Sequence, residues 1–281
     1  MKFEHEQVVD QQKDSWNNSS AGWKKWDDLT MDFLKPTGDM IIELVDPKDG
    51  DIILDIAAGT GEPGLTIASK LKSGKVIMTD LSEEMLEIAR KNATREGIKN
   101  IDTRVCDVSE LPFADNSFDA ISCRFGFMFF PDKLLAAREI TRVLKPGGRM
   151  AVSVWNVPEK NFWLTAILAA INKNMGLPVP VAGSPGMFSC AVEDFIIGLF
   201  RQAGLKNISV TEVKGKLPCR TINIYWNIMT EITTPVVALL SQAGDSMRKN
   251  IRRDVYQAMN ERYTNGNVVI GSSALVIYGE K

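Results

Sequence analysis

Three glycines and three aspartates are the residues whose types and spacing could do chemistry in this chain. Gly59, Gly61 and Gly64 fit G-x-G-x-x-G, where missing Cβ atoms allow a tight turn and let backbone N–H groups approach a ligand closely. Asp55 stands four residues before the first of them, Asp80 lies 21 residues after it, and Asp107 follows the stretch Ile101 to Val105. Carboxylates around a glycine turn suit a ligand that carries positive charge and hydrogen-bond donors. By itself the turn is equally at home in a dinucleotide dehydrogenase, and Asp80 would take ribose hydroxyls in either case.

The elements that must position these residues are legible on both sides. Ile52 to Ala58 is apolar except for Asp55, as expected of a central parallel strand covered on both faces. Pro63 falls where a first helical turn tolerates it, and Leu65, Ala68 and Leu71 recur at helical spacing up to Gly74. Lys75 to Asp80 reads as a second strand. The next helix has Ser82 as N-cap, Glu83 and Glu84 at its positive end, Lys91 and Arg95 at its negative end and Gly97 as its stop, with Met85, Leu86 and Ala89 apolar. Ile101 to Val105 is a third strand running into Cys106-Asp107-Val108. A turn-rich loop, Leu111 to Asp119, feeds a fourth strand from Ala120 to Arg124, and the aromatic run Phe125 to Phe130 sits at its end. A helix from Asp132 to Leu144 stops at Pro146-Gly147-Gly148, before a fifth strand from Arg149 to Trp155. This alternation predicts a doubly wound α/β sheet.

The flanking segments read differently. Trp16, Trp23, Trp26 and Phe33, then Met40, Ile41, Leu44 and Val45, predict short amphipathic helices broken at Pro36 and Pro47. They form either a packing layer or a cap whose aromatics close over a ligand. Beyond the fifth strand, residues 160–177 look helical, 178–186 form a Pro/Gly loop, Val192 to Gln202 is a helix and Leu205 to Val213 a strand. A second helical block spans Leu217 to Asn265, and Val268 to Tyr278 closes as a strand. One domain over 1–281 follows: a helical cap at 1–47, a core at 48–155, helical lid insertions at 156–190 and 217–266, and the end of the core at 191–216 and 267–281.

Composition narrows the functional classes. The 281 residues are 44% hydrophobic and 24% charged with net charge −2, so no global positive field favours nucleic acid or an anionic membrane. Cys106, Cys123, Cys190 and Cys219 are widely spaced, and His5 is the sole histidine, so no disulfide framework and no metal is expected. Met1 to Asp14 is polar, and no apolar run approaches the roughly 18 residues of a membrane span. The expectation is a cytoplasmic protein, without membrane insertion, acting as monomer or homodimer on a small molecule.

Asp55 with the glycine turn, Asp80, Asp107 and the Leu144-Lys145-Pro146-Gly147-Gly148-Arg149 turn together resemble the class I S-adenosylmethionine-dependent methyltransferases. The likeness is to the group of ubiquinone/menaquinone-biosynthesis C-methyltransferases (methyltransferase type 11), and it covers residues 50–155. It implies a Rossmann-like, seven-stranded sheet with an antiparallel last strand, and S-adenosyl-L-methionine as cofactor. Asp55, Ala57, Gly59, Thr60 and Gly61 would line its methionine end, with Asp55 or Glu62 reaching the ammonium. Asp80 would take the ribose hydroxyls beside Leu81 and Met85, and Asp107 the adenine amino group, with Cys106 and Val108 flanking the ring. Arg124 and Phe125 would face the reactive methyl.

Each of these also has a structural reading, as turn glycine, strand-end acid or core side chain. Trp23, Trp26, Phe130, Trp155 and Trp226 are the candidate acceptor contacts. Trp155, Trp226, Phe162, Trp163, Met175, Met187, Phe188, Tyr225 and Met229 give the lid an apolar content, which suits a modest organic acceptor or simply packs the lid on the sheet. The expected reaction is in-line displacement onto carbon, oxygen or nitrogen, driven by proximity and desolvation. No catalytic base is assigned, since His5 lies in a terminal segment. Methylation of RNA or protein, and cofactor binding without turnover, are the alternatives; the basic cluster Arg248-Lys249 with Arg252-Arg253 reads as a solvated helix face.

Overall fold

The computed structural model describes residues 2–177 and 184–281, with residues 2–6 as backbone only. Seven strands form one sheet in the order β3-β2-β1-β4-β5-β7-β6. They are β1 (Ile52–Ile56), β2 (Lys75–Asp80), β3 (Ile101–Val105), β4 (Phe118–Arg124), β5 (Leu144–Trp155), β6 (Lys206–Arg220) and β7 (Val268–Glu280). The first five are parallel, and β7 runs antiparallel to both β5 and β6. The expected α/β sheet and its antiparallel last strand are therefore present. Ile53, Leu54, Ala120, Ile121 and Cys123 in β1 and β4 have no exposed surface, as two covered faces require.

Within this region α3 (Gly64–Lys70), α4 (Glu83–Glu96) and α5 (Lys133–Val143) connect the strands. Their ends follow the local signals. The Ser82 hydroxyl accepts from the Met85 N–H at 3.1 Å, Gly97 takes a left-handed φ of 72°, and the Asp132 carboxylate accepts from the Leu135 N–H at 2.9 Å. The sheet order reverses between β1 and β4, whose following connections depart in opposite directions and open a crevice at their carboxyl ends.

The amino-terminal cap differs from its expected pattern. It consists of two long helices, α1 (Lys2–Lys25) and α2 (Asp27–Val45), and α2 continues through Pro36. Proline inside a helix removes one N–H and crowds a carbonyl. Here that cost is offset by a face burying Phe33, Leu34, Ile41, Ile42 and Val45, packed along β4, β5 and β6. Only Pro47 lies beyond a helix end, after Asp46 in the left-handed region at φ 45°.

The remaining helices are α6 (Phe162–Met175), α7 (Glu193–Gln202), α8 (Ile222–Ile232), α9 (Thr234–Ser241) and α10 (Asp245–Arg262). β6 extends further than its apolar pattern indicated and pairs with β7 as far as Arg220 opposite Val268, so the second helical segment begins at Thr221 and not at 217. Buried Leu217 and Cys219 on β6 explain the extension. Part of the expected 178–186 loop lies outside the described residues.

Most of the aromatic and sulfur-bearing lid residues pack rather than face open space. The fully buried Tyr225 donates its hydroxyl to the Trp163 carbonyl at 2.7 Å, and Met229 is fully buried. The cap is pressed against α8: a Cβ at Gly22 would clash with the Glu231 carbonyl oxygen, and the Ser19 and Thr234 hydroxyls are 3.2 Å apart.

Asp55, at the centre of the sheet, joins three elements. Its Oδ1 accepts from the Ser122 hydroxyl of β4 at 2.6 Å, and its Oδ2 from the Gly64 N–H at the start of α3 at 3.1 Å. Complete burial pushes this carboxyl up to about 7, against the opposing pull of the Ser122 hydroxyl. A carboxyl raised in the fold keeps its proton after the unfolded chain has lost it. Its contribution to stability is then fully present below the unfolded value of about 4 and falls as pH rises to about 7, by up to ~1.4 kcal/mol per unit. Urea denaturation of wild type and Asp55→Asn at pH 5 and pH 8 should show a stability gap that is larger at pH 5. A gap unchanged with pH would assign the ionisation elsewhere.

Candidate active site

The crevice between β1 and β4 widens into a cavity of about 1360 Å³, including its open mouth. Its lower lobe is shaped by the glycine turn. An added Cβ at Gly59 would meet nothing within 4 Å, so the backbone there faces open space, whereas one at Gly64 would lie 2.7 Å from Asp55 Oδ2. The first glycine admits a ligand; the last lets the turn sit on the buried carboxylate.

Asp80, half-buried at the end of β2, holds the turn from the side. Its Oδ2 accepts from the Gly59 N–H and its Oδ1 from the Ser82 N–H, both at 2.9 Å. Burial raises its carboxyl while these amides oppose the shift. Leu81 and Met85 line the cavity next to it. Asp107 follows β3, with Oδ1 accepting from the Ser109 N–H at 2.9 Å, between Cys106 and Val108 on the same wall. Burial pushes the Cys106 thiol up to about 11, which keeps it protonated at neutral pH. Ala57, Thr60 and Glu62 complete this lobe. The Glu62 carboxylate accepts from the Thr66 hydroxyl at 2.9 Å and is raised by burial.

Arg124 and Phe125 stand where β4 ends. The Arg124 guanidinium lies 3.7 Å from the Met31 sulfur of α2; burial lowers its pKa, and the charges of Glu62 and then Asp55 counter this. Phe125 adopts φ 60°, a strained conformation for a non-glycine residue. Its N–H is held by the Ser153 carbonyl at 3.1 Å and hydroxyl at 3.0 Å, and its ring stacks on Trp155 at 4.1 Å. The next residue must be glycine, since a Cβ at Gly126 would lie 2.5 Å from that of Ala57.

Aromatic rings build the upper lobe. Trp155 touches Phe33 at 5.8 Å and Trp163 at 4.8 Å, and Phe130 and Trp23 also line the space. From α1, Gln12 donates to the Phe129 carbonyl at 2.7 Å and Trp16 meets the Phe129 ring edge-on at 5.3 Å. Met187 and the turn Ile232–Pro235 finish the roof.

The sequence did not single out Gln12, Met128 or the Thr233-Thr234-Pro235 turn. For Gln12 one signal existed: Gln12, Trp16 and Trp23 fall at i, i+4 and i+11, on one helical face.

Four expected contacts lie away from the cavity. Asp55 is sealed beneath the turn by Ser122 and Gly64, and Gly61 is packed against Leu65, so neither lines the cavity. Trp26 turns outward, its Nε1 donating to Glu231 at 2.8 Å. Trp226 packs edge-on against Tyr256 at 6.4 Å, under Arg252. The side chain of His5 lies outside the described residues. Among the described residues no group of His, Cys, Asp or Glu could hold a metal ion, and no helix is long and apolar enough to cross a membrane.

Comparison with known proteins adds the family. Residues 28–174 match the ubiE/COQ5 methyltransferase family. The chain is 42% identical over 119 residues to the ubiquinone/menaquinone biosynthesis C-methyltransferase UbiE of Cellvibrio japonicus, covering 42% of this chain and 48% of that protein. It is 34% identical over 137 residues to the demethylmenaquinone methyltransferase of Bacillus velezensis, covering 48% and 54%. The chain thus spans about half the length of the curated relatives it matches. Among solved structures, a methyltransferase of Haloferax volcanii in complex with the activator Trm112 aligns over 95% of this chain and 96% of its own, with TM-score 0.59 and 18% identity. The YcgJ protein of Bacillus subtilis aligns over 87% and 97%, with TM-score 0.57 and 22% identity. These likenesses support the fold, and the match over 28–174 shows that the chain belongs to the ubiE/COQ5 methyltransferase family, a class of S-adenosylmethionine-dependent enzymes.

Proposed function

We propose that the protein transfers a methyl group from S-adenosylmethionine to a small, mostly apolar, ring-bearing acceptor. The observation that carries this is one cavity with two unlike ends: carboxylates from β2, β3 and the glycine turn below, aromatic walls above. The lower residues fit the cofactor. Its hydrogen-bond donors and positive charge suit Asp80, Asp107 and Glu62, and the open face at Gly59 leaves room for a ligand against the backbone. In this arrangement Asp80 holds the ribose hydroxyls, and Asp107 the adenine amino group between Cys106 and Val108.

Bound there, the cofactor supplies an electrophilic sulfonium methyl. The chain's own contribution is placement and dryness. Phe125, fixed by Ser153 and Trp155, forms the threshold between the lobes, and the Trp16, Phe129, Trp155 and Trp163 walls exclude water from the acceptor. Holding a nucleophile in line within such a passage supplies much of a methyl-transfer rate. The names of the relatives make a hydroquinone ring carbon the first acceptor to test.

Incubation with labelled S-adenosylmethionine and a panel of hydroquinones, phenols and apolar amines should label a ring compound. Tight cofactor binding with no transfer to any member would reduce the protein to a cofactor-binding module. Asp80→Ala should weaken cofactor binding by calorimetry about 10- to 100-fold, because ribose contacts and the Gly59 tether are lost together. An unchanged affinity would remove Asp80 from the site.

A further inference from the structure

Arg124 is the one cation lining the cavity among the described residues. A guanidinium presents five N–H donors, yet its one hydrogen-bond contact within the described chain is the Met31 thioether at 3.7 Å, a weak acceptor. Half-burying such a group without a carboxylate or carbonyl partner is costly unless a ligand completes it.

Its position says which end of the cavity that ligand group occupies. Gly38 of α2 makes the space: a Cβ there would lie 3.8 Å from Arg124 Nη1 and 3.9 Å from Pro63 Cβ. The guanidinium therefore sits between α2 and the Glu62–Pro63 turn, beside the Glu62 carboxylate. Glu62, on the same turn, places a carboxylate nearby, with its Oε2 only weakly engaged at 3.3 Å from the Thr66 N–H. A cation and an anion facing one cavity wall match a zwitterion.

Resting on the methyl-donor reading above, we propose that Arg124 receives the α-carboxylate of S-adenosylmethionine while Glu62 holds its α-ammonium. Arg124 is then a specificity-determining residue, which selects cofactors that keep the amino-acid carboxylate. Lysine is a poor substitute, because an ammonium cannot form the paired N–H contacts a carboxylate takes from a guanidinium.

Calorimetry of the full chain with S-adenosylmethionine and with its decarboxylated analogue tests this, since the analogue keeps sulfonium and ammonium and lacks only the carboxylate. Wild type should prefer the carboxylated ligand by on the order of 100-fold. Arg124→Met should lose most of that preference, binding S-adenosylmethionine about 100-fold more weakly and the analogue within about threefold of wild type. Arg124→Lys should fall between. Should Arg124→Met fail to fold in a thermal melt, wild type and Arg124→Lys still decide the matter. Equal wild-type affinity for both ligands, or an equal loss for both in either folded variant, would overturn the inference. Binding of neither ligand by wild type would overturn the methyl-donor reading, and this inference with it.

Discussion

The site depends on a glycine turn held between two carboxylates. Asp55 grips its far end from below through the Gly64 N–H, and Asp80 grips its near end from the side through the Gly59 N–H. Neither contact is optional for the other parts. Without the Asp55 tie, α3 has no fixed starting point over β1. Without the Asp80 tie, the open face at Gly59 is not aimed at the crevice. Two acids expected at different parts of a ligand divide the work: Asp55 is sealed in the sheet, while Asp80 lines the cavity.

A second constraint is the close approach of the turns that follow the parallel neighbours β1 and β4. Ala57 at φ 53° and Phe125 at φ 60° both occupy a conformation that side chains avoid, on adjacent strands at the same edge of the cavity. The bare Cα of Gly126 lets the two turns pass. Strain concentrated here is compensated by the Ser153 contacts to Phe125 and by ring stacking on Trp155. These contacts fix the Phe125 ring in the cavity wall.

Much of the core was legible in the sequence because its signals are local. The apolar run ending in Asp80, the Ser82 cap and the Gly97 stop each specify their element within a few residues. What was not legible depends on contacts between distant segments. Pro36 looks like a helix break until α2 has a sheet to bury its face on, and β6 looks like a short strand until β7 pairs along its whole length. The tryptophans show the same limit. Trp23 lies in the last turn of α1 and Trp26 at its junction with α2, and the packing of α1 against α8 leaves one lining the cavity and the other donating to Glu231.

That limit falls along a functional line. The family match spans residues 28–174, which contain the glycine turn, Asp80, Asp107, Arg124 and Phe125. The roof of the aromatic lobe comes from outside it: Gln12, Trp16 and Trp23 on α1, Met187, and the Ile232–Pro235 turn between α8 and α9. These pieces converge because Gly22 and Ser19 seat α1 on α8 and α9, more than 200 residues away in the chain. Family membership therefore speaks for the glycine-turn end of the cavity and for the walls built by Phe33, Phe129, Phe130, Trp155 and Trp163, but not for the roof. On the proposed methyl-transfer reading the roof is the part of the acceptor wall outside the family match, so α1 and the α8–α9 turn are where this chain can differ from its relatives while the carboxylate-clamped glycine turn stays as it is.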